Sequence, residues 1–156
     1  MVKTIMLENS LAQKFIEEVK KKYPDKAYGY FLSRDINGVP DDFILFNGDK
    51  RNEWKDLFED YGKYYIRNKD AGFLASEEEM YRIHKIIQER NKFIVGVFHS
   101  HKRHPPIFSK VDIDLHPSYK LWHLIISLRN VDMPQIKAFM LGEDNNVEEL
   151  QIIYER

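Results

Sequence analysis

Phe93-Ile94-Val95-Gly96-Val97-Phe98-His99-Ser100-His101 is the stretch that decides how this chain reads. Its first six residues are apolar or small and read as a buried strand. The two histidines follow where that strand emerges from its sheet. On an extended backbone, residues two apart face the same side, so one metal ion can take both imidazoles. Further on stand Ser109 and Asp112, and the whole pattern is H-S-H-x7-S-x2-D. Two imidazoles and a carboxylate suffice as the protein ligands of a catalytic zinc, with a fourth position left for water. Asp112 also has a plainer reading. Ser109-x-x-Asp112 is a helix-start pattern, with an acid in the favoured first turn. The two readings are compatible, because a capped helix start is a rigid place from which to aim a carboxylate.

The pattern resembles the JAMM motif of MPN-domain metalloproteases and isopeptidases. The order of elements across most of the 156 residues is also similar to a single small MPN domain. The resemblance implies Zn²⁺ held by His99, His101 and Asp112. It implies that Ser109 donates to the oxyanion of a tetrahedral intermediate. It further implies a protein or peptide substrate, of the ubiquitin-like or sulfur-carrier kind with a Gly-Gly tail.

Relatives of this kind place a glutamate before the strand that follows the first helix, in a stretch reading approximately P-[DN]-E-x-x-G. That glutamate is the general base. Here the stretch is Pro24-Asp25-Lys26-Ala27-Tyr28-Gly29, and Lys26 stands where the glutamate is expected. An ammonium there repels Zn²⁺, and proximity to the metal and burial both lower a lysine pKa. Asp25 is one residue away, which strand alternation puts on the opposite face. Glu53 and Glu59 are the other candidate bases. A smaller departure is Lys102-Arg103-His104 directly after the second histidine, where relatives often have proline.

The chain is long enough for one domain with a real core, and we read residues 1–156 as a single unit. Hydrophobic residues make up 43% and aromatic residues 13%, a globular rather than a disordered composition. The formal net charge is −1, and charges of both signs are interspersed. Nothing favours nucleic acid or an anionic membrane. Lys20-Lys21-Lys22 is the one basic run, and it falls where a helix would end and its dipole would favour cations. There is no cysteine, so a zinc site must be built from histidine and carboxylate. No apolar leader or membrane-length run is visible, which makes a cytoplasmic protein the expectation.

Period and punctuation predict the elements. Thr4 to Leu7 reads as a short strand. Leu11, Phe15 and Val19 mark a helix over residues 10–22, with Asn9 or Ser10 as its cap and Pro24 as its stop. Strands are expected over 27–33 and 43–46, around a turn at Asn37-Gly38 and Pro40. Residues 48–75 are aromatic-rich and read as a helical insertion or an ordered loop. Ser76-Glu77-Glu78-Glu79 is a capping box that opens a helix to about Asn91, buried through Met80, Ile83 and Ile87. A short helix from Ser109, cut by Pro117, follows the histidine strand. Strands over 122–128, 136–141 and 147–154 close the chain. The implied fold is α+β, a curved mixed sheet flanked by helices, as in the resembled family. His84, His104, His116 and His123 read as structural or exposed.

Three functional readings stay open. One is a zinc-dependent peptidase or isopeptidase. Another is an MPN-type interaction module that retains zinc without efficient hydrolysis. The third is a metallohydrolase of small amides.

Overall fold

The structure, a computed structural model, describes residues 4–36, 38–47, 76–108, 121–142 and 146–156. Ser109, Asp112, His116, Pro117, Glu53 and Glu59 lie outside these, as do the expected insertion over 48–75 and the helix expected from Ser109.

Seven strands among the described residues form one mixed sheet, in the order β1-β7-β6-β5-β4-β2-β3. They are β1 (Thr4–Glu8), β2 (Tyr28–Ser33), β3 (Asp42–Leu45), β4 (Phe93–His101), β5 (Trp122–Ser127), β6 (Gln135–Leu141) and β7 (Val147–Glu155). β4 pairs parallel with β5, and β1 pairs parallel with β7. The other pairings are antiparallel. Two helices are described, α1 (Asn9–Lys22) and α2 (Glu77–Glu89). The fold is α+β, as expected.

α1 covers one face. Its apolar stripe of Leu11, Phe15 and Val19 packs with Phe31, Phe43, Phe98, Trp122, Leu124 and Ile126. Phe15 sits at the centre, with ring centroids 4.9 Å from Phe31 and 4.8 Å from Phe98. Glycine makes two close approaches possible. A Cβ on Gly29 would lie 1.9 Å from the Ile44 carbonyl oxygen, and one on Gly96 would lie 2.5 Å from the Trp122 ring. On the other face α2 lays Ile83 and Ile87 against Leu32, Ile44, Phe46 and Val97.

Two expected details differ. α1 starts directly from β1 with Glu8 at its cap and no side-chain cap, rather than from Asn9 or Ser10. Helix-forming backbone continues straight out of the strand there, so neither polar side chain is in the cap position. The Ser76 box is half formed. Ser76 Oγ accepts from Glu79 N at 3.1 Å, but Glu79 turns its carboxylate to Arg82 and to the backbone N–H of Asn47. That pairing offers a guanidinium in place of one backbone donor. The lysine run ends α1 as expected, and Lys22 Nζ donates to the Phe46 carbonyl at 2.6 Å. Asn91 adopts φ 57° just beyond α2, in the left-handed conformation that ends many helices.

Candidate metal centre

β4 is longer than its apolar run. It extends through His101, so both histidines lie within the sheet rather than beyond it. Polar residues at a strand end obscure the strand in the sequence, and here β5 still pairs alongside, with His99 opposite Ile125 and His101 opposite Ser127. Alternation sends Val97, His99 and His101 to the α2 face, while Phe98 and Ser100 point to the α1 face.

The register then defines the wall around the histidines, because laterally paired residues share a face. Tyr28 pairs with His99, and Tyr30 with Val97. Beyond β5, Lys137 lies opposite Ile125 and Gln135 opposite Ser127. Beyond the Tyr28–His99 pair the two segments stay together for one more step, Ala27 beside Ser100. Two bonds hold that step. Ser100 N donates to the Ala27 carbonyl at 2.8 Å, and Ala27 N donates to Ser100 Oγ at 2.8 Å. The middle residue of H-S-H therefore fastens the segment carrying Lys26 to the strand carrying the histidines. Lys26 is half-buried, whereas Asp25 is exposed and donates its backbone N–H back to Lys22.

His99 and His101 are each only 2% exposed. Their Nε2 atoms are 3.0 Å apart. His101 Nδ1 is 2.9 Å from the Pro105 carbonyl oxygen. A carbonyl only accepts, so His101 carries its proton on Nδ1 and presents a lone pair at Nε2. With no cation between them, His99 Nε2–H donates to that lone pair. With a cation, both nitrogens turn lone pairs to it. Nitrogens sharing a tetrahedral zinc are about 3.3 Å apart, so the observed pair needs only a small adjustment. The donor set thus fits a borderline-soft metal ion. Among the described residues no group of three or more His, Cys, Asp or Glu side chains completes such a site.

His104 is half-buried rather than exposed, with its ring centroid 6.5 Å from that of His101. Ser127 Oγ donates to the His104 carbonyl and ties the loop after His101 to β5. His123 is buried against Phe108, with ring centroids 4.9 Å apart, and His84 lies near Tyr30 on α2. Burial pushes the Tyr30 phenol above its usual value, so this neighbour stays neutral.

The structure thus brings His99 and His101 together and ties the segment that carries Lys26 to their strand. Three contributors escape the sequence reading. Ser100 had a signal, since alternation sends the residue between the two histidines to the opposite face. Ser127 had none, because its position depends on the β4–β5 register. The Pro105 carbonyl is backbone and leaves no trace in residue type.

A desampylase of Pyrococcus furiosus is 33% identical over 94 residues, which are 58% of this chain and 64% of that protein. The solution structure of a protein from Desulfitobacterium hafniense matches with a TM-score of 0.69 at 22% identity, covering 97% of this chain and 93% of that one. A crystallised JAB1/MPN domain protein from Archaeoglobus fulgidus matches with a TM-score of 0.52 at 14% identity, over 96% of this chain and 99% of its own. At such identities the structural likeness carries the fold alone. The family of prokaryotic homologs of the JAB domain matches residues 8–142, well over half of the sequence, and the chain belongs to that family.

Proposed function

We propose that this chain is a zinc-dependent isopeptidase that cleaves an amide at the Gly-Gly tail of a ubiquitin-like or sulfur-carrier protein. The observation that carries this reading is the buried, convergent Nε2 pair of His99 and His101, 3.0 Å apart, in a chain of this family. The likeness to a desampylase supports the reaction class. His99, His101 and Asp112 hold the metal in this proposal, and Ser109 donates to the developing oxyanion. Bound there, zinc supplies a Lewis acid and lowers the pKa of coordinated water towards ~7.

The described residues act as follows. Pro105 fixes the tautomer of His101 and so its aim. Ser100 fixes the strand beside it. Tyr28 and Ile125, buried on either side of His99 in the register, shield that imidazole from bulk water. Lys26 occupies the place of a proton acceptor and, as an ammonium, only donates. A single observation therefore favours a second reading: with a lysine next to the tied Ala27, where relatives carry a glutamate, the chain is a zinc-retaining interaction module in which hydrolysis is weak.

The test combines metal analysis with cleavage of a Gly-Gly isopeptide fusion. Wild-type protein prepared without chelator is expected to carry about one zinc per chain, and His99→Ala and His101→Ala to lose it. Wild type without zinc would overturn the proposal. Zinc without cleavage in any form would leave the module reading in its place.

A further inference from the structure

An open pocket of about 340 Å³ lies at the turn between β5 and β6, lined by Ser127, Arg129, Asn130, Met133, Pro134 and Gln135. Ser127 belongs to two places at once. It lines this pocket, and it lies directly opposite His101 across the β4–β5 pairing. The pocket therefore begins at the residue that neighbours His101 across the sheet. Its size is in the lower range of sites that enclose a ligand group.

The lining has a definite chemistry. Arg129 is held by Gln135, whose Oε1 accepts from Nη2 at 3.4 Å. That bond uses one of five guanidinium donors and orients the rest. Asn130 Oδ1 accepts from Asp132 N at 3.2 Å, which leaves its amide N–H pair for a guest. Met133 is 72% exposed, and with Pro134 it adds an apolar wall that serves no core. Asp132 is the one carboxylate in the turn and does not line the pocket. Lys137, further along β6, pairs with Glu149 at 3.5 Å. A cation, an amide donor and a short apolar wall suit a carboxylate on an aliphatic stem.

We propose that this pocket is a specificity subsite for a glutamate side chain of the peptide presented at the His99–His101 pair. The assignment rests on the peptidase reading of that pair. Because the pocket adjoins the residue next to His101, the glutamate belongs close to the scissile amide, on one side of it or the other.

Fluorescein-labelled peptides with a central Gly-Gly test this, with Glu, Gln or Lys at each of the two positions on either side. Binding is read by anisotropy and cleavage by kcat/KM. At one position wild type is expected to bind Glu about fivefold tighter than Gln and to disfavour Lys, the modest gain of an exposed charge-assisted pair. Arg129→Glu is expected to reverse the order of Glu and Lys. Arg129→Lys should keep the preference for Glu in weakened form, since it keeps the charge and loses the fork. Arg129 is exposed, so both variants should fold, as circular dichroism would verify. A Glu-to-Lys ratio unchanged in Arg129→Glu, or absent at all four positions, would overturn the subsite even where cleavage is robust. A ratio that reverses in binding while no peptide is cleaved would sustain the subsite and remove the peptidase reading.

Discussion

Lys26 carries the sharpest chemical question at the residue scale. The neighbouring Ala27 is fastened to Ser100 through two bonds, so the segment carrying Lys26 is tied to the histidine strand. Lys26→Glu puts an acceptor where water must lose its proton and exchanges a repulsive neighbour of Zn²⁺ for an attractive one. Cleavage of a Gly-Gly isopeptide should rise from a weak wild-type level, and zinc affinity should not fall. Strong wild-type cleavage that the substitution abolishes would mean that another base serves, with Glu53, Glu59 and Asp25 to be scanned. Ser100→Ala makes a different prediction. It removes the acceptor for a buried N–H at Ala27, which costs about 1–3 kcal/mol, and chemical denaturation should show that loss. The histidine pair was legible in the sequence because two imidazoles at i and i+2 are a pattern of residue types. The Ser127 hydroxyl and the Pro105 carbonyl were not, because they reach the site through register and backbone geometry.

Element by element, the apolar patterns matched the observed strands and helices to within a few residues, and the misses have physical causes. Leu11, Phe15 and Val19 are all buried at helical spacing, because a two-layer core admits one face of α1. β4 runs three residues past its apolar stretch, since the polar His99-Ser100-His101 replaces the hydrophobes that mark a strand. The N-terminal cap of α1 was misplaced because a strand can pass directly into a helix. Two predictions belong to this scale. Asn91→Ala should destabilise the end of α2 by about 1 kcal/mol, and Asn91→Gly should not, because a Cβ is strained at φ 57°. The second concerns pH. The Arg82 guanidinium, helped by Asn47 N–H against a smaller opposing effect of burial, holds Glu79 below the usual glutamate value of 4.5. A depressed carboxylate pKa adds stability above the unfolded value and loses it as pH falls through the folded one. Glu79→Gln should therefore lower the melting temperature at pH 7, and the gap from wild type should close as pH drops below about 4.5. A gap constant with pH would mean that packing, not charge, is what the substitution removes.

Across the whole molecule, one sheet joins regions that are remote in sequence. The first described strand, β1, pairs with the last, β7, and the histidine strand β4 lies between β5 and β2. No strand can leave without exposing the edge of another, so we propose that residues 1–156 unfold as one cooperative unit. Under the proposed function, zinc adds to this through linkage. In the proposed ligand set the histidines converge through the sheet, His99 Nε2 lying 3.0 Å from His101 Nε2 only in the folded chain, so the metal binds the folded chain far better than the unfolded one. A metal at 100 times its dissociation constant stabilises by about 2.7 kcal/mol. For a chain of this size that raises the melting temperature by about 5–10 °C. Wild type should show a single transition that falls by that amount when a chelator is added and returns when zinc is restored. His101→Ala should show a single transition that chelator and zinc leave in place. Asp112→Ala should behave likewise, which makes it the direct measurement of the third ligand. A chelator shift that persists in Asp112→Ala would remove that residue from the set and direct attention to His104, whose ring centroid is 6.5 Å from that of His101.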